Sequence, residues 1–299
     1  MKKRVFIAGA TGLLGQAICK ALIGNYSVFA AHAPNSPKIK KLPQDVIPVA
    51  LDLSQPNLNV LPEEIETVIY LAQSPRFREF PEGSSDMIGV NILSPVLLAD
   101  WAAKSGVSSF IYASSGGIYG NKNEFAPESQ PIDNFSPLNF YFDTKRSAEL
   151  LLRNFSPLFS SLLILRPFFI FGPGQNPSML IPRIIQNVAK GNPITLNGEE
   201  GIQINPIFVE DAARAVVQLM KIPGFQIFNL AGKETLSIRQ IATLAGQVIG
   251  VKPIFEYTTP TESLLGDIKK LQGTGFDFQT DVLSGLKKTA ADLTENGIL

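Results

Sequence analysis

The sequence predicts an α/β protein, a doubly wound parallel sheet followed by a smaller C-terminal α/β region. Three observations carry that expectation. Short apolar runs alternate with helical patterns through the first half of the chain, and repeated strand–helix alternation argues for parallel strands joined by crossover helices. The runs are apolar nearly throughout, as in strands covered on both faces. A glycine-rich turn, Gly9-Ala10-Thr11-Gly12-Leu13-Leu14-Gly15, separates the first run from the first helical pattern.

The elements follow in order. Residues 5–8 read as the first strand and 15–23 as the first helix. Further strands are expected at 28–31, 47–51, 68–71, 109–113 and 162–165, with helices at 90–104 and 144–154. After Arg166-Pro167 the texture changes, and Gly172-Pro173-Gly174-Gln175-Asn176-Pro177 is a turn-rich linker. Helices are expected at 180–190, 211–220 and 237–249, and residues 227–230 read as one more strand returning to the sheet. The rest, to Leu299, is mixed and less regular. The basic start, Met1-Lys2-Lys3-Arg4, resembles a signal-peptide n-region, but Gly9 and Gly12 interrupt the apolar run too early for an h-region. No uninterrupted apolar run approaches the roughly 20 residues of a membrane span.

Composition narrows the function. The chain has 299 residues, 45% hydrophobic and 17% charged, with 26 basic and 26 acidic side chains. A balanced charge supplies no global field for nucleic acid, so neither nucleic acid nor membrane is an expected partner. One cysteine, Cys19, excludes an internal disulfide framework and points to a reducing, cytoplasmic compartment. One histidine, His32, and one cysteine leave no zinc site of the usual ligand types, so no metal is expected.

Gly9, Gly12 and Gly15 lie between a strand and a helix, spaced one residue wider at the front than the G-x-G-x-x-G fingerprint. The physics is shared: glycine lets backbone N–H groups approach a pyrophosphate, and the helix N-terminus favours its negative charge. The second strand ends in His32-Ala33-Pro34-Asn35 with no acid to hold a ribose 2′-hydroxyl, which leaves NAD and NADP both open. Asp52-Leu53, ending the third strand, could flank the adenine. Tyr141 and Lys145 are four apart and share a helix face. A nearby ammonium favours phenolate and would bring the phenol, ordinarily near ~10, toward neutral. Ser115, after a strand and near the carboxyl edge of the sheet, could hydrogen-bond the reacting oxygen beside Tyr141.

Taken in order, these residues resemble the extended short-chain dehydrogenase/reductase family, its NAD-dependent epimerase/dehydratase group. The resemblance runs from the Gly9–Gly15 turn through Asp52-Leu53, Ile69-Tyr70-Leu71-Ala72, Asn91, Ser114 to Gly120, Pro127-Glu128, Tyr141 to Lys145, Leu165-Arg166-Pro167-Phe168 and Gly172-Pro173. It closes on Val209-Glu210-Asp211-Ala212, Phe228-Asn229 and Gly285-Leu286-Lys287-Lys288-Thr289. It implies a Rossmann domain at 1–170 and 205–232 and a substrate domain at 171–204 and 233–299. It implies that Ser115, Tyr141 and Lys145 are catalytic, Tyr141 as general acid–base. The implied cofactor set is Gly9, Thr11, Gly12, Leu13, Leu14, Gly15, His32, Asp52, Leu53, Leu71, Ala72, Gln73, Asn91, Ala113, Ser114, Tyr141, Lys145, Pro167 and Phe168. Substrate would meet Ser74, Ser115, Gly116, Gly117, Phe169, Arg183 and Ile204. A homodimer through two helices per subunit is implied as well, matching 90–104 and 144–154.

Three departures from the family pattern bear on the reaction. Sugar 4,6-dehydratases of the family carry Asp-Glu where this chain has Gly116-Gly117, so dehydration is disfavoured. Nucleotide-sugar epimerases have Asn where Phe169 stands, and a phosphate-binding Arg where Ile204 stands, a role Arg183 could take. The expected activity is hydride transfer at a sugar hydroxyl or ketone, on a nucleotide sugar. The alternatives are an NADP-dependent reductase of a smaller carbonyl compound and a dinucleotide-binding protein without turnover.

Overall fold

In the computed structural model, which describes residues 2–132 and 138–299, the chain divides into two units. One takes Met1–Ile118, Pro131–Arg166 and Ala213–Phe228; the other takes Tyr119–Gln130, Pro167–Ala212 and Asn229–Leu299. Met1, which opens the basic start, lies outside the described residues.

The main sheet comprises β1 (Lys3–Ala8), β2 (Tyr26–His32), β3 (Ile47–Ala50), β4 (Thr67–Tyr70), β5 (Ser109–Ala113), β6 (Ser161–Pro167) and β7 (Gly224–Leu230). Their order is β7-β6-β5-β4-β1-β2-β3. Strands β1 to β6 pair in parallel, with Val5 beside Val28 on one side and Thr67 on the other. Every residue of β4 and β5 is buried, which is why both read as unbroken apolar runs. The order reverses between β1 and β4. In open α/β sheets ligands bind in the crevice outside the carboxyl ends at such a switch point.

Three helices position the site: α1 (Leu13–Leu22), α2 (Ser94–Lys104) and α3 (Phe140–Arg153). Helix α3 begins four residues before the sequence pattern suggests. Asn139 caps it, Oδ1 accepting the Phe142 N–H at 2.9 Å, so Tyr141 falls within the first turn. Helix α2 is preceded by a π turn, Gly89–Leu93, and by Ser84–Ile88. The π turn is supported from the sheet. The Tyr70 hydroxyl donates to Val90 O at 2.5 Å, and the Tyr112 hydroxyl to Asn91 O at 3.2 Å.

The expectation of no membrane-length apolar segment is modified here. Among the described residues, the helical run Ser84–Lys104 is long and apolar enough by length and composition to cross a membrane. Its buried face identifies it as a core helix: Met87, Val90, Leu98, Ala99 and Ala102 are buried. Val90, Leu98, Ala99 and Ala102 join one cluster with Phe6, Tyr70, Phe110, Tyr112, Leu152 and Ile164.

In the second unit Pro193–Asn197 pairs in parallel with Ile254–Thr258, and helices cover Leu180–Ala189, Ile238–Ile249 and Val282–Glu295. The last corrects the expectation of an irregular C-terminal stretch. Asp281 caps it by accepting the Ser284 N–H at 2.7 Å, and Val282, Leu286, Ala290 and Leu293 form its buried stripe.

Candidate active site

The turn between β1 and α1 has the form a pyrophosphate needs. Gly9 adopts φ +86°, and a Cβ there would stand 2.7 Å from Ala72 N, in the loop after β4. Only glycine tolerates both conditions. Gly15 packs on the turn itself, and a Cβ there would strike Gly9 O. Gly12 is the N-cap of α1 and brings no side-chain cap. The Gly12 N–H bonds Gly9 O at 3.0 Å, while the first-turn N–H groups of Leu13 and Leu14 have no partner within the helix. Those donors and the positive end of α1 suit an anion. Thr11 holds the turn through its carbonyl, which accepts Gln16 Nε2 at 3.0 Å.

The catalytic candidates lie in the same unit. The Tyr141 hydroxyl donates to Gln73 Oε1 at 2.7 Å, on the loop following β4. Its ring is flanked by Phe77, with centroids 5.5 Å apart, and by Phe142 at 5.2 Å. Lys145 is buried one turn further along α3. Its Nζ donates to Ala113 O at 3.0 Å and to Ala72 O at 3.2 Å, at the ends of β5 and β4, and sits 5.1 Å from the Tyr112 ring centroid. Ser115 Oγ accepts the Gly117 N–H at 3.2 Å, which leaves its own hydrogen free to donate.

These contacts hold the Lys145 ammonium against two backbone carbonyls, one helical turn from the phenol. Burial raises Tyr141 above its ordinary value. Burial pushes Lys145 down to about 7, against the opposing pull of the Glu149 carboxylate. The low dielectric around both residues disfavours whichever form is charged. The ammonium is directed at two carbonyls rather than at the phenol.

Residues 5–231 match the NAD dependent epimerase/dehydratase family. The chain belongs to this family. It is 28% identical over 239 residues to the UDP-glucuronate 4-epimerase of Thermodesulfobacterium geofontis, covering 78% of this chain and 73% of that protein. An uncharacterized UDP-glucose epimerase of Bacillus subtilis, YtcB, is 23% identical over 313 residues, 97% of this chain and 98% of its own length. Among solved structures, MoeE5 in complex with UDP-glucuronic acid and NAD is 25% identical with a TM-score of 0.83, over 98% of this chain and 99% of that one. The UDP-glucuronic acid 4-epimerase of Bacillus cereus shares the fold at a TM-score of 0.87 and 22% identity, with 98% and 99% covered. The family is described as NAD dependent, and MoeE5 is solved with NAD.

The remaining candidate residues of this epimerase/dehydratase take varied positions. Asn91, in the π turn, is wholly buried. Its Oδ1 accepts the Ser74 N–H at 3.0 Å and its Nδ2 donates to Thr144 Oγ1 at 2.9 Å. Thr144 in turn donates to Tyr141 O at 2.7 Å, and the Ser74 hydroxyl donates to Asp86. Asn91 and Ser74 thus tie the β4 loop to the helix that carries Tyr141. Ser114 is buried, its Oγ lacking a hydrogen-bond partner among the described residues. Gly116 and Gly117 are buried beside it, and a Cβ on Gly117 would collide with the Phe142 ring. Leu71 is half-buried after β4. His32 ends β2, Nδ1 lying 3.0 Å from Ala33 O. Asp52 Oδ1 accepts the Ser54 N–H at 2.8 Å and its hydroxyl at 2.7 Å, and Leu53 is half-buried beside it.

Pro167, Phe168, Phe169, Arg183 and Ile204 belong to the second unit. Phe168 is buried and stacks on Tyr119 with centroids 6.1 Å apart. Phe169 holds φ +38°, a left-handed conformation that is costly for a bulky side chain. Arg183 is exposed on its helix. Ile204 is fully buried and pairs with Leu236, so the packing of its own unit accounts for it.

Sequence reasoning missed the buried ion pair of Glu149 with Arg166. No local spacing signals it, because Glu149 on α3 and Arg166 on β6 are 17 residues apart. The depressed lysine has a consequence for stability. A lysine that titrates at about 7 when folded and at 10.5 when unfolded binds fewer protons in the native state across that interval. Its contribution therefore rises with pH from about 7 upward. From pH 9, Cys19, pushed up to about 12 by burial, acts in the opposite sense. Lys145→Met is expected to flatten the rise between pH 7 and 9 in urea midpoints. A rise of equal slope in the variant would remove Lys145 as its source.

Proposed function

We propose that this enzyme inverts a hydroxyl-bearing carbon of a UDP-linked hexose or hexuronic acid. The placement of Ser115, Tyr141 and Lys145 in one unit with the Gly9–Gly15 turn carries the reading. The names of the relatives supply the substrate class. When bound, NAD supplies the acceptor and donor of hydride at that carbon. The N–H groups of Leu13 and Leu14, at the amino end of α1, would hold its pyrophosphate, and Lys145 its nicotinamide ribose. Ser115 donates to the sugar oxygen, and Tyr141 takes the proton from that oxygen and returns it.

Inversion is favoured over dehydration by Gly116 and Gly117. Expelling water needs an acid and a base beside the reacting carbon. Neither glycine offers one, and the Phe142 ring fills the room that a side chain at 117 would occupy. The first unit is assigned the dinucleotide and the second the remainder of the nucleotide sugar. Cys19 is buried and free, which suits a reducing, cytoplasmic compartment. A homodimer is supported by Leu93, ahead of α2, and Leu150 and Leu151 on α3, large apolar side chains left exposed.

Native mass spectrometry tests both parts. The expected result is a dimer carrying one NAD per subunit that gains the mass of UDP-glucose or UDP-glucuronic acid. Leu151→Glu is expected to give the monomer. A protein that retains no NAD and binds neither sugar nucleotide would overturn the reading.

A further inference from the structure

We propose that the side-chain amide of Gln73 is a further catalytic group, one that holds the Tyr141 oxygen in both of its protonation states. The inference deepens the reading above and rests on it for the proton-transfer role of Tyr141. Among the described residues, Gln73 is the side chain hydrogen-bonded to the phenol, at 2.7 Å. Lys145 directs two of its hydrogens to Ala72 O and Ala113 O instead. The amide of Gln73 is the group that meets the phenol oxygen directly.

A neutral phenol donates a hydrogen bond, whereas a phenolate only accepts. A carboxamide carries an acceptor oxygen and a donor NH2 at the same end of the side chain, and half a turn about Cγ–Cδ exchanges them. Gln73 is exposed, so that rotation disturbs no packed core. Phe77 and Phe142 keep the ring in place meanwhile.

In the oxidation step the sugar O–H bond breaks and its proton forms the O–H bond of Tyr141. The electron pair of the C–H bond leaves as hydride for the nicotinamide dinucleotide. Before the step the phenolate accepts from Gln73 Nε2. After it the phenol donates to Oε1, the arrangement seen here. Re-reduction reverses both changes, and the amide gains and loses nothing. A hydrogen bond with one ionised partner is roughly twice as strong as a neutral one, so the amide favours the phenolate.

Other titratable and charged groups lie on the elements around Tyr141. Tyr112 lies on β5, and Lys145 and the Asp143–Arg146 pair lie on α3. From the loop after β4 come Arg78, over the Phe77 ring, and the Arg76–Glu79 pair. Asp86 stands behind Ser74. None of these changes when Gln73 is replaced, which makes the replacement diagnostic.

The test compares NAD-loaded wild type with Gln73→Met and Gln73→Glu. Methionine keeps the bulk and loses both polar atoms, while glutamate keeps an acceptor and adds repulsion. The acid limb of the kcat/KM profile on UDP-glucuronic acid is expected to move to higher pH in Gln73→Met and further in Gln73→Glu. At neutral pH the rate should fall by about tenfold or more. Ultraviolet titration of the tyrosine, taken as the difference from Tyr141→Phe, should move in the same direction. Limbs and titrations that superimpose on wild type in both variants would overturn the proposal. A titration shift without turnover of any sugar nucleotide would support the amide's role and defeat the substrate assignment instead.

Discussion

Tyr141→Phe is expected to keep its fold and its NAD and to lose about 10²–10⁴-fold in kcat, the range that a positioned acid–base supplies. Phenylalanine preserves the ring contacts with Phe77 and Phe142. It removes one oxygen, the one that bonds Gln73. Asn139 still caps α3, and Thr144 still donates to the carbonyl of residue 141, so the helix stays where it is. Steady-state turnover of UDP-glucuronic acid and UDP-glucose measures the loss, and native mass spectrometry confirms retained NAD. Turnover within threefold of wild type would remove Tyr141 from the chemistry.

The second large effect concerns stability. Arg166 and Glu149 are 4% and 9% exposed and share two hydrogen bonds, Nε to Oε1 at 3.1 Å and Nη2 to Oε2 at 2.7 Å. Removing one partner strands a buried charge, at a cost of about 3–5 kcal/mol. Arg166→Met and Glu149→Leu should each lower the urea midpoint strongly, and the double replacement should recover most of the loss, because apolar pairs of similar volume substitute well for buried ion pairs. Glu149→Leu carries a further consequence. It removes the carboxylate that supports the Lys145 ammonium, so the rise of stability with pH should begin lower than in wild type. Two single variants that add without coupling would contradict the pairing.

How much of this was legible in the sequence depended on whether the cause was local. Residues 109–113 read correctly as a strand because a fully buried parallel strand is an unbroken apolar run between turn signals. The Gly9–Gly15 turn was legible because only glycine serves there. The start of α3 was misplaced by four residues, although Asn139 supplied a capping signal. The helix Val282–Glu295 was likewise available from Asp281 and the spacing of Val282, Leu286, Ala290 and Leu293. Other features were out of reach. Pro193–Asn197 pairs with Ile254–Thr258 across some sixty residues, and the π turn at Gly89–Leu93 depends on phenols from two other strands.

The site divides the same way. Tyr141 and Lys145 are four apart in sequence, and α3 carries both one turn from each other. Which group the Tyr141 hydroxyl meets was set by an exposed glutamine two residues beyond Leu71, and an exposed amide leaves no pattern in a sequence. The two carbonyls that take hydrogens of the Lys145 ammonium lie on other strands' ends, and the i, i+4 spacing gives no sign of them.

The most direct measurement follows the hydrogen on the inverted carbon. NAD-loaded protein in ordinary water would be given UDP-glucuronic acid deuterated at that carbon, and the epimeric product analysed by mass. Hydride removal and return within one closed site predicts that the deuterium stays in the product. Deuterium lost to solvent would mean that the carbon gives up a proton, and the hydride-transfer reading of Ser115, Tyr141 and Lys145 would be wrong.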